Sequence, residues 1–142
     1  MSAASPWERH ARQWSRVGAP LRPAPDDLAI VAAALDAWRR ESPAGDPTLL
    51  LLGVTPELCA LSTGDGSRMI AVDRSSDMIR AVWPGRLRSR DEVLCGDWRR
   101  LPLRPASVDV VLADGCLTNL TYPTGYALGD RCPTLVLAPG PR

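Results

Sequence analysis

Two short apolar runs, Leu49–Leu52 and Met69–Val72, set the pattern of the chain. Each is too short for an ordinary helix and reads as a buried strand. The first ends on Gly53 and the second on Asp73. Between them Thr55-Pro56-Glu57 signals a helix start, because Thr caps and Pro suits the first helical position. Strand, tight turn, helix, strand and then a carboxylate about 20 residues past the glycine is the layout of a nucleoside-binding βαβ unit.

The same reading extends along the chain. Trp7, His10, Ala11 and Trp14 share one face of a short helix, which predicts an N-terminal arm anchored by its tryptophans. The alternative is an arm that closes over a substrate pocket with His10 or Trp14 facing it. Residues Gly18–Asp27 hold Pro20, Pro23 and Pro25 and form a connector. Asp26 or Asp27 can cap a helix to about Arg40, whose stripe is Leu28, Val31, Leu35 and Trp38. Ser42–Pro47 breaks the chain before the first strand. After Asp73, Ser75 or Ser76 can cap a helix through Ile79 and Val82, stopped by Pro84-Gly85. Arg86, Arg88 and Arg90 read as a solvated loop. Glu92–Cys95 is a third strand, followed by Gly96-Asp97-Trp98, and Arg99–Pro105 is a loop. Val108–Ala113 is a fourth strand, apolar apart from Asp109, ending at Asp114-Gly115. Alternating strands and helices predict a parallel sheet with right-handed crossovers.

Composition narrows the function classes. At 142 residues the chain allows one domain and one sizeable core. A formal net charge of +1 gives no argument for nucleic acid or an anionic membrane. All 17 basic side chains are Arg, a pattern of GC-rich coding that carries no function. Cys59, Cys95, Cys116 and Cys132 show no CxxC spacing and lie far from His10, which argues against a zinc site and for small thiols in a reducing cytoplasm. The longest apolar run, Leu28–Leu35, falls far below the roughly 18 residues of a membrane span. The N-terminus lacks the apolar core of a secretory signal, so the expected compartment is the cytoplasm.

In an open α/β sheet, ligands sit beyond the carboxyl ends of the strands. Those ends carry Gly53, Asp73, Asp97 and Asp114. Three carboxylates repel a phosphate-rich ligand and suit one with hydroxyls, amines and positive charge. No catalytic triad, metal cluster or acid/base pair stands out, and no catalytic residue is assigned.

Four ordered pieces, LLLLGVTPEL, IAVDRSSDMI, VLCGDWRRLPL and SVDVVLADGCLTNL, resemble the class I S-adenosylmethionine-dependent methyltransferases over roughly Leu49 to Thr121. The resemblance implies S-adenosylmethionine as cofactor. Gly53, Val54 and Thr55 would line its methionine part, and Asp73 would accept hydrogen bonds from the ribose hydroxyls. Arg74 and Met78 would pack near the adenine. Asp97, preceded by Gly96, would receive the adenine amino group, and Trp98 would cover the ring. Asp114, Gly115 and Leu117 would edge the methyl-transfer pocket. Each has a plainer alternative: Asp73 as a helix cap, Asp97 as a turn residue, Trp98 and Met78 as core. Asn119 reads as a cap.

The first loop departs from the family's acid-any-Gly-any-Gly-any-Gly pattern. Leu51 stands at the acid position, and Thr55 and Glu57 replace the second and third glycines. No pyrophosphate must approach this backbone, so one glycine can suffice. Glu57 disfavours a phosphate and suits the ligand's ammonium or sulfonium. A nicotinamide-dinucleotide site needs the glycines that are missing.

The expected fold is α/β, a Rossmann-like parallel sheet of four to five strands flanked by helices, truncated relative to the seven-stranded methyltransferase fold. The expected division is an N-terminal helical arm (1–47), a cofactor-binding core (48–121) and an irregular C-terminal tail (122–142). In the tail the helical pattern is lost after Tyr126, and only Thr134–Ala138 is strand-like. Truncation or frameshift is the favoured explanation. The alternatives are a compact variant, with Thr134–Ala138 beside the fourth strand, and a homodimer or partner chain covering the open sheet edge. The expected function is a methyltransferase acting on a small-molecule acceptor, either complete or in a truncated or inactive form. The alternative is a non-catalytic methyltransferase-like module that binds a partner chain. Neither nucleic acid nor membrane is expected as a partner.

Overall fold

The Leu49–Leu52 run becomes the middle of a parallel sheet. The structure, a computed structural model, describes residues 5–18, 22–42, 45–61, 66–104, 106–113 and 135–137. Helix α1 (Pro6–Arg12) and a single 3-10 turn (Trp14–Arg16) precede α2 (Pro25–Glu41). Then follow β1 (Thr48–Leu52), α3 (Pro56–Cys59), β2 (Arg68–Asp73), α4 (Ser76–Val82), β3 (Glu92–Cys95), a 3-10 turn (Trp98–Arg100), β4 (Val110–Ala113) and β5 (Leu135–Leu137). The strands lie in the order β3-β2-β1-β4-β5, and every pairing is parallel. The strand-like tail run thus pairs beside the fourth strand, Val111 opposite Leu135 and Ala113 opposite Leu137.

Alternate residues of each central strand feed two cores. Leu49, Leu51, Met69, Ala71, Val110 and Leu112 face one cluster, shared with Val31 and Leu35 of α2, Leu58 and Cys59 of α3, and Met78 and Val82 of α4. Leu50, Leu52, Ile70, Val72, Val111 and Ala113 face the other, covered by Leu101 and Val108 with Trp98 and Leu103 at its margin. The β1–β2 and β2–β3 connections therefore use one face of the sheet, and the β3–β4 connection uses the other. Right-handed crossovers require that change of face when the strand order reverses at β1. Strands covered on both sides read as continuous apolar runs, which is why β1 and β2 were visible in the sequence.

Several local expectations shift. Ala24, not Asp26 or Asp27, occupies the N-cap of α2; Asp27 sits in the first turn and accepts from the Ala24 N–H at 3.1 Å. The fourth strand starts at Val110 because Asp109 spends its groups on β1: its N–H donates to Thr48 O, and its Oδ2 accepts from Thr48 N at 2.8 Å. The arginine run is a correction. Arg88 is not solvated but clamps the chain below the sheet. Its Nε donates to Asp91 Oδ1 at 2.9 Å, Nη1 to Leu61 O at 2.9 Å and Nη2 to Cys59 O at 2.8 Å. Asp91, 3% exposed, also accepts from Met69 N at 2.9 Å and Arg88 N at 3.0 Å. The clamp therefore closes the end of α3 and the start of β2 onto the approach to β3. Cys59 lies within the core, and burial pushes its thiol up to about 12, so it stays a neutral core residue.

Removing one partner of such a pair strands the other. Arg88→Ala is expected to cost about 3–5 kcal/mol in urea unfolding; a change under about 1 kcal/mol, the scale of surface ion pairs, would show the clamp to be dispensable. Burial alone would raise the Asp91 carboxyl, but the Arg88 side chain and the two backbone N–H donors hold it below its ordinary value of 3.8. A depressed folded pKa adds stability above the unfolded value and loses it as pH falls through the folded one. Asp91→Asn is thus expected to flatten the fall in stability on acidification below about pH 4, and an unaltered acid limb would contradict this.

Candidate functional site

The carboxyl ends of β1, β2 and β3 lie side by side, Leu52 opposite Val72 and Asp73 opposite Cys95. Beyond Leu52 the chain turns at Gly53, whose φ of 108° belongs to the region that favours glycine. Among the described residues, Gly53's chain neighbours aside, no atom lies within 4 Å of where a Cβ would stand on Gly53, so these residues leave the space over this turn open. The Gly53 N–H still bonds back to Val72 O at 2.7 Å. Val54 is buried. Thr55 occupies the N-cap position of α3, yet its side chain makes no capping bond, and Pro56 follows at the first helical position. The hydroxyl expected to cap is therefore not spent on the helix.

Asp73 closes β2. Its Oδ1 accepts from Ser75 N at 2.8 Å, and its carbonyl accepts from Gly96 N at 2.9 Å. The other carboxylate oxygen has no hydrogen-bond partner among the described residues. Ser75, not Asp73, caps α4, accepting from Met78 N at 3.2 Å. Burial pushes the Asp73 carboxyl up from its ordinary value, and the Ser75 N–H opposes that only in part. An ionised, half-buried carboxylate with a spare oxygen costs folding energy that a hydrogen-bonding ligand would offset.

Beyond β3, Trp98 and Asp97 have prior engagements. The Trp98 indole N–H donates to Val72 O at 2.7 Å, and the ring packs against the second core. Asp97 caps the 3-10 turn and holds Arg99: Oδ1 accepts from Arg99 N at 2.9 Å and Nε at 3.0 Å, Oδ2 from Nη2 at 2.6 Å. The Arg99 side-chain bonds, with its backbone N–H, hold the Asp97 carboxyl well below the usual carboxylate range. Asp97 is thus a fixed anion, and receiving an adenine amino group would mean sharing an oxygen with Arg99.

The structure thus gathers Gly53, Val54, Thr55, Asp73, Arg74, Gly96, Asp97 and Trp98 at one end of the sheet. Arg74 is exposed there, and its carbonyl accepts from the Cys95 thiol at 3.6 Å. Met78 is not brought to that surface: it is 4% exposed and packs in the first core with Val82. Asp114, Gly115, Leu117 and Asn119 lie outside the described residues. Glu57 is paired with Arg22, a residue that sequence reasoning passed over. No periodicity links positions 35 apart, so no local signal could have found that pair. Among the described residues no group of three His, Cys, Asp or Glu side chains could hold a metal ion, and no helix is long and apolar enough to cross a membrane.

Comparison with known proteins decides the family. Residues 52–127 match the family model described as a methyltransferase domain. The chain belongs to the class I S-adenosylmethionine-dependent methyltransferases. Its fold is similar to a protein of Methanococcus maripaludis assigned as an S-adenosyl-L-methionine-dependent methyltransferase (TM-score 0.64, 16% identity, 92% of this chain and 62% of that one). It is also similar to a structure from Haloferax volcanii, a complex between the Trm112 methyltransferase activator and an assigned methyltransferase (TM-score 0.50, 21% identity, 79% of this chain and 48% of that one). The methyltransferase domain here thus spans less than two-thirds of the length of either structure. Comparison with curated proteins finds no match.

The carboxylate at the end of β2 generates a test that separates a ligand-binding residue from a structural one. A raised folded pKa means that ionised Asp73 lowers stability as pH rises through the folded value, so neutralising it relieves a cost at neutral pH. Asparagine keeps an Oδ1 acceptor for Ser75 N. Asp73→Asn is expected to melt at the same temperature as the parent chain or higher; a loss of more than about 2 kcal/mol would make Asp73 structural instead.

Proposed function

We propose that this methyltransferase domain binds S-adenosylmethionine at the carboxyl ends of β1 and β2 and serves methyl transfer to a small-molecule acceptor. The observation that carries the reading is the Asp73 carboxylate, half-buried and, among the described residues, with one oxygen unpartnered, one strand away from the Gly53 turn that these residues leave open. That pairing fits the group: a diol donates two hydrogen bonds to a carboxylate, and the space over Gly53 admits ligand atoms close to backbone. The bound cofactor supplies an electrophilic methyl group on a sulfonium.

In this reading Gly53, Val54 and Thr55 line the amino-acid end of the cofactor, with Glu57 beside it. Asp73 holds the ribose, and Arg74, Gly96, Asp97 and Trp98 flank the adenine. Trp98 acts through Val72: its indole bond fixes the carbonyl just before Asp73 and so orients the carboxylate. Asp97, paired with Arg99 through both carboxylate oxygens, would have to share one of them with the adenine amino group. Met78 supports α4 from beneath, while Asp114, Gly115 and Leu117 are proposed for the methyl-transfer pocket on the family resemblance alone. Rate enhancement in such a site comes from holding donor and acceptor in line, which needs no assigned general base.

A second reading, a methyltransferase-like chain that works through a protein partner, is favoured by one feature. Among the described residues strand β3 is an outer strand of the sheet, with Glu92 and Cys95 exposed and no strand paired along one backbone edge. The Haloferax volcanii complex supports it by pairing a methyltransferase with an activator chain.

Calorimetry distinguishes the two. The full chain is expected to bind S-adenosylmethionine and S-adenosylhomocysteine, and Asp73→Ala to weaken both by about 10- to 100-fold, the range of one or two charge-assisted hydrogen bonds. Identical binding by Asp73→Ala would remove Asp73 from the site. No binding by a chain that melts cooperatively would favour the partner-dependent reading.

A further inference from the structure

One contact beyond the carboxyl end of β3 stands in the way of the ligand proposed to arrive there. The Asp97 carboxylate is wrapped by a single neighbour, Arg99. Its Oδ1 accepts the Arg99 backbone N–H at 2.9 Å and Nε at 3.0 Å. Its Oδ2 accepts Nε at 3.1 Å and Nη2 at 2.6 Å. A carboxylate offers about four lone-pair sites, and these contacts use nearly all of them. An amino donor reaching Asp97 therefore meets a carboxylate already filled.

The pair is fixed in place beside the end of β2. Trp98, between its two members, donates its indole N–H to Val72 O and packs its ring against the second core. The Gly96 N–H bonds to Asp73 O on the other side, and Asp97 caps the 3-10 turn that carries Arg99. The Arg99 side-chain bonds, then its backbone N–H, hold the Asp97 carboxyl well below the usual carboxylate range, and the charge of Arg74 adds to the pull. Yet the pair joins no distant parts of the chain. Arg88, 13% exposed, spreads its donors over Asp91, Leu61 O and Cys59 O and so ties three segments together. The Arg99 side chain is 51% exposed, and among the described residues Asp97 is what its guanidinium holds. A contact of that kind contributes little to folding. Its effect falls on whatever else needs the carboxylate.

We propose that Arg99 is a built-in competitor of the adenine amino group, holding Asp97 in the free protein so that the base must draw the guanidinium off one oxygen to bind. This rests on the cofactor reading above and concerns the regulation of that same site. Arg99 lowers affinity at the base end and leaves the ribose and amino-acid ends untouched. Exposed charges are screened by salt, so the competitor loosens as ionic strength rises. S-adenosylhomocysteine carries one ammonium and one carboxylate and has no net charge to be screened. Occupancy of the site thus rises with salt, the reverse of a site that attracts a charged ligand.

Calorimetry with S-adenosylhomocysteine on the full chain tests this. Arg99→Ala is expected to melt close to the parent and to bind about two- to fivefold tighter at low salt, the worth of an exposed ion pair. Parent affinity is expected to rise towards that of Arg99→Ala as sodium chloride shortens the Debye length from about 30 Å at 0.01 M to about 3 Å at 1 M. The variant is expected to stay within about twofold over the same range. In an Asp97→Asn background, where the ion pair is absent, Arg99→Ala is expected to change affinity by less than about twofold. Weaker binding by Arg99→Ala would show that Arg99 holds the base instead of competing with it. Unchanged binding would reduce the pair to a surface contact, and tightening that persists in the Asp97→Asn background would place the effect elsewhere. Each of these overturns the competitor and leaves the cofactor reading intact. Failure of both the parent and Arg99→Ala to bind would overturn the two together.

Discussion

One backbone oxygen joins the elements on which the site depends. Val72 O, at the last buried position of β2, accepts the Gly53 N–H and the Trp98 indole N–H, each at 2.7 Å. The first bond brings the turn after β1 back onto β2 as it leaves the sheet. The second draws the segment after β3 over the same point. An unpaired carbonyl there would carry a desolvation cost of about 1–3 kcal/mol, so both bonds are favoured as soon as the strands align. Asp73 is the next residue, and its direction is set by that junction together with Ser75 and Gly96. The glycine matters for the same reason: with its N–H bonded to Val72 O, the chain leaves the turn at φ 108°, a conformation that favours glycine.

The sheet uses one residue type for opposite purposes at its two ends. At the amino ends, Asp91 and Asp109 accept backbone N–H groups of the neighbouring strands, Met69 and Thr48 respectively. Those carboxylates replace ladder bonds that the strands lack at their starts, and Asp91 is further neutralised by Arg88. At the carboxyl ends, Asp73 is burdened by burial and incompletely satisfied. Stability is stored at the bottom of the sheet and part of it is given up at the top. That distribution is typical of a site whose preorganisation is completed by its ligand.

The central strands were legible because burial on both faces leaves an unbroken apolar run, and β1 shows it with Leu49 to Leu52 all at most 1% exposed. Ser75 as a cap and Pro56 as a helix start were legible because both effects are local. Arg88 and Arg22 were not, because each finds its purpose across 27 to 35 residues of chain, where no periodicity operates. Trp98 looked like a ring cover by resemblance; that its indole holds Val72 O required the register of β2 against β3. The tail run Thr134–Ala138 was visible as strand-like, with a place beside the fourth strand as one of the alternatives, and the pairing of Leu135–Leu137 with β4 selects that alternative.

The proposed cofactor site stands or falls on whether the Asp73 carboxylate receives a ligand's diol. A crystal structure of the full chain with S-adenosylhomocysteine measures this directly. The expected result is both ribose hydroxyls within about 3 Å of the Asp73 carboxylate oxygens, the usual range for such bonds, with the thioether end lying over Gly53. A ligand seated elsewhere, or Asp73 turned to Ser75 alone with the ribose held by other groups, would contradict it.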